Sequence, residues 1–327
     1  MRKGFSSVFC ILQYLYVGMI ADAYAGPAAA LLNEPIVPLM PIKNLNPDKI
    51  LLGEKLFNDV RLSRDNTVSC ATCHDLKRGG VDGKKFSTGI GNAQGVVNAP
   101  TVFNAALNFR QFWDGRSANL EDQIDGPVQN PLEMGSRWEA VISKLSASKE
   151  YNELFEKLYE DKVSVIHIKD AIATFERSLV TTGSRFDQYL QGNTSAIDEK
   201  EKAGYETFKT LGCVSCHQGA NVGSNMYQMF GVVTSYFDDR GNIHPSDLGR
   251  FNVTKKEEDK YFFKVPTLRN VALTAPYFHD GSALTLEDAV RTMGRYQLGR
   301  KLSSEEISSI VRFLHTLTGQ YKGEFLK

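Results

Sequence analysis

The sequence predicts a mostly α-helical protein, built as two similar units with long ordered loops. Three observations carry this. Apolar residues recur at helical spacing, as in "SRWEAVISKLSASKEYNELFEKLYE" and "VIHIKDAIATFERSLV". No strong run of alternating polar and apolar residues marks a sheet. One pattern occurs twice: a helix with a glycine and a phenylalanine four residues apart leads into Cys-x-x-Cys-His.

The chain has 327 residues, room for two domains of ordinary size. Its formal net charge is zero, which argues against a broad nucleic-acid-binding surface and leaves room for a local patch that docks another protein. The first 25 residues read as a signal peptide. Arg2 and Lys3 are followed by an apolar run and by the small-x-small pattern Ala23-Tyr24-Ala25. A membrane anchor is the alternative, but the run is short and is interrupted by Ser6, Ser7 and Gln13. No later segment reads as transmembrane, so the mature protein is expected to be soluble and exported to the periplasm.

Five cysteines are present, and Cys10 falls in the signal. Cys70 and Cys73 precede His74; Cys213 and Cys216 precede His217. Two disulfides or a four-sulfur zinc site are alternatives. Neither needs a histidine after both pairs. Covalent c-type haem does, because two thiols bind the vinyl groups and the adjacent imidazole ligates iron. The sequence therefore predicts two c-type haems in two cytochrome c-like domains.

The elements follow in order. Asn46 caps the first lead-in helix, with Pro47 at its first position and Gly53 and Phe57 on its stripe. Gly204 and Phe208 repeat that stripe before the second motif. "TTGSRFDQYLQGNTSAID" has the polar and glycine content of a domain boundary. Residues 26–185 are thus expected to form the first haem domain and 186–327 the second, with the last helix a candidate to pack back on the first. "LTLEDAVRTMGRY" and "SSEEISSIVRFLHTLTG" read as helices, the latter with a Ser303/Glu306 capping box and Gly319 as a stop.

Longer segments carry a resemblance: "NAPTVFNAALNFRQFWDGR", "GPVQNPLEM", "FERSLVTTGSRFDQYLQG", "DLGRF", "VPTLRNVALTAPYFHDG" and "AVRTMGRYQL". With the two motifs they make the chain resemble the bacterial di-haem cytochrome c peroxidase family, which includes the methylamine-utilisation enzymes. The resemblance implies that His74 and His217 are the proximal ligands and that Met293 is the second ligand of the second haem. A thioether favours ferrous iron and raises the reduction potential. Met226 and Met229 compete by proximity but match no ligand pattern of the family. Relatives with tyrosine at the methionine position belong to the methylamine-utilisation branch, which Met293 argues against. His279 is implied to lie in the haem environment. His167 and His315 read as ordinary helix residues, and His244 as a loop residue.

For the first haem, many relatives place a distal histidine where this chain has Asn92, in "IGN". An amide is a poor iron ligand, so an open position is expected there. The resemblance implies Glu133 as the distal acid/base, Gln123 as the amide that orients peroxide, and Pro127 as a shaper of the pocket between them. It implies Trp113 as the relay between the haems; Trp138 reads as packing. It also implies a calcium ion held by the Asn98 side chain and the carbonyls of Thr274 and Pro276.

The expected activity is reduction of hydrogen peroxide with electrons from a small donor, a cytochrome c or a copper protein. The family suggests a homodimer. Two rivals are a related oxidase acting on a protein or small organic substrate, and a di-haem electron carrier that is no enzyme.

Overall fold

The computed structural model describes residues 34–327; the expected signal peptide lies outside them. Helix α1 spans Pro47–Phe57, and Asn46 caps it by accepting the Asp48 and Lys49 amides. Helix α2, Cys70–Cys73, is the first Cys-x-x-Cys itself. Then follow α3 (Leu120–Gln129), α4 (Trp138–Ser146), α5 (Lys149–Tyr159) and α6 (Val165–Ser178). The second half holds α7 (Arg185–Leu190), α8 (Glu199–Thr210), α9 (Tyr236–Arg240), α10 (Phe251–Thr254), α11 (Leu286–Tyr296) and α12 (Ser304–His315). Strands are short. β1 (Tyr227–Met229) pairs antiparallel with β2 (Phe262–Lys264), and β3 (Gln320–Tyr321) with β4 (Glu324–Phe325). The mostly α class is as expected.

The repeated lead-in has a packing reason. α1 crosses α6 where Gly53 meets the backbone of Ala171, and Phe57 packs on Phe175 with ring centroids 5.3 Å apart. α8 crosses α12 in the same way: Gly204 meets the Ser309 carbonyl, and Phe208 lies 5.2 Å from Phe313. A Cβ on either glycine would collide with a backbone carbonyl that cannot move alone. We expect Gly204→Val to cost about 3 kcal/mol and to lower Tm by at least about 5 °C. Thermal unfolding of the haem-loaded protein checks this, and an unchanged Tm would show that the two helices do not meet here.

Three buried apolar clusters are found among the described residues, the smallest being Phe230, Tyr236, Phe237 and Phe263 with Met293 and Trp113 packed against it. Of the two larger ones, the first collects residues from Leu52 to Leu179; the second runs from Phe186 to Leu317 and also takes in Ile36. The N-terminal segment thus packs with the second half of the chain. Arg269 fixes it there. Its guanidinium and the Asp187 carboxylate form a 2.8 Å ion pair with neither side chain exposed. It also donates to the carbonyls of Ala220 and Val37, while Asp187 accepts from the Leu39 amide. The stretch read as a boundary therefore contains a short helix, α7, around a buried ion pair. A charge pair so enclosed is strongly destabilised when one partner is removed.

The last helix packs on α8. It is the tail beyond α12 that returns to the first cluster: Gln320 donates to the Thr182 carbonyl at 2.8 Å, and Tyr321 packs on Phe103 at 5.3 Å. The Ser303/Glu306 capping box is present. Gly319 is no helix stop, because α12 already ends at His315. Its missing Cβ lets the chain run against the backbone of Thr181.

Candidate active site

The second motif opens into a cavity of about 500 Å³, lined by Cys213, Cys216, His217 and, from α11, Met293. Phe208 of the lead-in helix and Leu314 of α12 add apolar walls. Met226 and Met229 are not among its lining residues. Burial pushes the His217 imidazole down to about 4 and the Cys213 thiol up to about 11. A neutral imidazole is the ligating form. The Val222 carbonyl lies beside His217 Nδ1, outside good hydrogen-bond geometry, so that buried nitrogen is unpaired. A Cβ on Gly223 would sit 3.3 Å from the same nitrogen. The apolar walls, neutral imidazole and two sulfurs fit a c-type haem.

At the first motif, His74 Nδ1 faces the Gly80 carbonyl at 3.2 Å, which leaves Nε2 for iron. Burial lowers its pKa and raises those of the Cys70 and Cys73 thiols. Glu133 is a partly buried acid. Burial raises its pKa, and the opposing Asn130 amide, 2.6 Å from Oε1, and the Arg116 charge do not cancel that shift. Gln123 lies on α3, and the segment bearing Glu133 follows that helix. The Asn92 loop is fastened to the same segment. The Ile90 amide donates to the Glu133 carbonyl at 2.8 Å, and Gly89 has room for no Cβ beside the Leu132 and Glu133 backbone. Asn92 itself is exposed, in a left-handed conformation with φ 62°. A second buried acid, Glu176 on α6, is pushed up to about 8 by burial and acts on the Cys70 thiol. The sequence reading assigned it no role.

The chain carries a second internal repeat. Residues 98–127 and 264–293 align without insertion or deletion, with Pro-Thr at 100 and 266, Asp-Gly at 114 and 280, and Leu-Glu-Asp at 120 and 286. Their backbones agree. Asn104 and Asn270 are left-handed with φ 62° and 61°, and Phe112 and Phe278 with φ 68° and 70°. Asn119 and Thr285 cap the matching helices α3 and α11. In this register Met293 corresponds to Pro127, Ala289 to Gln123, His279 to Trp113 and Lys264 to Asn98. The position that offers a thioether to the second cavity thus carries, in the first unit, a proline with nothing to ligate iron. Pro127 also lacks the N–H that would bond the Gln123 carbonyl.

Between the two units lies a cluster with matched hydrogen bonds. The Asn98 amide donates to the His279 carbonyl at 2.7 Å, and the Lys264 amide to the Trp113 carbonyl at 2.8 Å. Trp113 Nε1 donates to the Asn98 carbonyl at 2.9 Å, and its ring meets His279 edge-on at 6.4 Å. Asn98, Thr274 and Pro276 all line the cavity. Asn98 Nδ2 donates to the Lys84 carbonyl at 2.9 Å, which leaves Oδ1 for a cation. His279 is buried with Nε2 2.7 Å from Asp247. Burial works to raise the Asp247 carboxyl, but hydrogen bonds from His279 and Arg240 outweigh it and hold it well below the usual range. Asp247, His279 and Asp280 are close enough to suggest a metal site, but Arg240 pairs with both carboxylates and supplies the positive charge. His167 stacks on Tyr159, while His244 and His315 are exposed.

Residues 47–195 match the family model described as di-haem cytochrome c peroxidase. The chain is 47% identical over 298 residues to the cytochrome c551 peroxidase of Nitrosomonas europaea, covering 91% of this chain and 87% of that protein. The chain belongs to the di-haem cytochrome c peroxidase family. It is also 47% identical over 290 residues to the cytochrome c peroxidase Ccp of Escherichia coli; the match takes in 88% of this chain and 62% of that longer protein. Among solved structures it is similar to a MauG-like protein associated with microbial copper homeostasis, with TM-score 0.77 and 27% identity, covering 87% of this chain and 93% of that one. Family membership implies two c-type haems. No helix among the described residues is long and apolar enough to cross a membrane.

Proposed function

We propose that this di-haem peroxidase reduces hydrogen peroxide to water in the periplasm, taking electrons from a small soluble redox protein. The observation that carries the reading is the asymmetry of the repeat: a thioether at Met293 on one side, Pro127 with Gln123 and Glu133 on the other. Bound haem irons would supply one-electron redox chemistry, and neither Asn92 nor Pro127 would offer the first of them a further ligand. Residues 26–185 and 186–327 are assigned as the two haem domains, with export by the first 25 residues.

In this reading Cys70 and Cys73 would hold the first haem, and the Gly80 carbonyl fixes the His74 tautomer. Glu133 takes the proton from one peroxide oxygen and returns it to the departing oxygen, and its raised pKa suits both transfers. The Gln123 amide orients the peroxide. Two electrons and two further protons complete the conversion to two waters. Cys213, Cys216, His217 and Met293 would hold the second haem, which would supply a store for one electron. Trp113, touching His279 and hydrogen-bonded to Asn98, lies on the route between the units. A calcium ion on Asn98 Oδ1 and the carbonyls of Thr274 and Pro276 would clamp the segments that meet there.

The test is the oxidised holoprotein's EPR spectrum together with peroxide-dependent oxidation of a reduced c-type cytochrome. One high-spin and one low-spin signal with turnover are expected. Two low-spin signals without turnover would indicate an electron carrier. Met293→Ala is expected to remove the low-spin signal of the second haem and to slow donor oxidation at least about tenfold, while peroxide still perturbs the first. Retention of the low-spin signal would show that Met293 is not the ligand. Turnover of an organic or protein substrate in place of the donor would favour the MauG-like oxidase reading.

A further inference from the structure

Lys264 is a lysine in an unusual place. It closes β2 with 6% of its surface exposed, and it lines the cavity that receives the second motif. No carboxylate among the described residues pairs with it, in a molecule where even the buried Arg269 has Asp187. His217 and His279 aside, it is the one basic side chain lining that cavity, whose other walls are mainly apolar. Burial alone pushes its ammonium down to about 8, with no anion to oppose the shift. An unpaired buried ammonium is costly and calls for a partner.

The repeat says where that partner lies. Lys264 occupies the position that Asn98 occupies in the first unit. Each residue donates its backbone N–H across to the other unit, Asn98 to His279 and Lys264 to Trp113. Asn98 is the residue assigned to the calcium site. The same place in the second unit therefore carries a built-in cation on a side chain. A c-type haem brings two propionate carboxylates, the anions an otherwise apolar cavity lacks.

We propose that Lys264 pairs with a propionate of the haem attached at Cys213 and Cys216, fixing that haem's edge beside Trp113 and raising its reduction potential. The inference rests on the reading that the cavity holds this haem. The ammonium favours the reduced haem, whose net charge is lower by one positive unit, and so adds to the effect of Met293. Lys264 is a positioning residue and touches neither peroxide nor donor.

The experiment is potentiometric titration of the holoprotein with Lys264→Met and Lys264→Arg. Removing a buried unit charge on the order of 10 Å from the iron should lower the reduction equilibrium constant of the second haem roughly tenfold, about 59 mV for a one-electron couple. Lys264→Arg should restore most of it. An unchanged potential in Lys264→Met overturns the proposal, and so does an equal drop in both variants. Haem content and the low-spin signal are read in parallel: their presence with an unchanged potential refutes Lys264 alone, and their absence from the wild type refutes the haem reading beneath it. If Lys264→Met fails to load haem, a structure of the wild-type holoprotein decides. An ammonium within about 4 Å of a propionate oxygen supports the pairing, and a longer separation overturns it.

Discussion

Glu133→Gln is expected to lower peroxide-dependent turnover at least about 100-fold while leaving folding and haem content intact. The amide keeps the size of the carboxyl and loses its ability to take and return a proton, a function that typically contributes 10²–10⁴-fold. Glu133 is partly buried, its pKa is raised by that burial, and it is steadied by the Asn130 amide at 2.6 Å. Its backbone carbonyl, which ties down Ile90, is unchanged by the substitution. Steady-state assay with saturating reduced donor measures the effect, and thermal unfolding controls for stability. Turnover within about threefold of wild type would remove Glu133 from the acid/base role.

The second large effect concerns when the enzyme is competent. The fully oxidised protein is expected to react with peroxide without prior reduction, because neither Asn92 nor Pro127 offers an iron ligand. The family resemblance implies that a histidine at the Asn92 position would act as a gating ligand, one that reduction of the other haem would release. Installing it here by Asn92→His should slow the reaction of the oxidised form roughly 100-fold, as for a site open about 1% of the time. Adding one electron should restore it. The loop is fastened to the segment that carries Glu133, since Gly89 and Ile90 rest on the Leu132–Glu133 backbone. Stopped-flow mixing of oxidised protein with peroxide is the measurement. A wild-type protein silent until reduced would refute the ungated reading.

Much of the candidate site was legible along the chain because its chemistry is local. Cys-x-x-Cys-His places two sulfurs and an imidazole within five residues, and no partner element is needed to recognise it. The Gly53/Phe57 and Gly204/Phe208 lead-ins could likewise be read as helix stripes, since helical periodicity is a short-range property. The alignment of 98–127 with 264–293 is equally legible, since its matched Pro-Thr, Asp-Gly and Leu-Glu-Asp are local patterns. It sets Pro127 against Met293 from the sequence alone. Gly319 misled because a glycine after a helix suggests a stop, whereas here it permits a close approach to Thr181.

The sequence by itself determined the helical class, the two Cys-x-x-Cys-His motifs, the capped helix starts and the absence of a histidine at Asn92. These depend on neighbours a few residues away. Only the tertiary structure decided which residues share an environment. It buried Asp187 with Arg269 and brought Ile36 into the second core. It set Lys264 and Asn98 in matched positions around Trp113 and His279, with Lys264 lining an apolar cavity. The physical reason is that burial and pairing are properties of the folded whole. A lysine in "FFKVP" is indistinguishable from a surface lysine until the chain closes around it and removes the water.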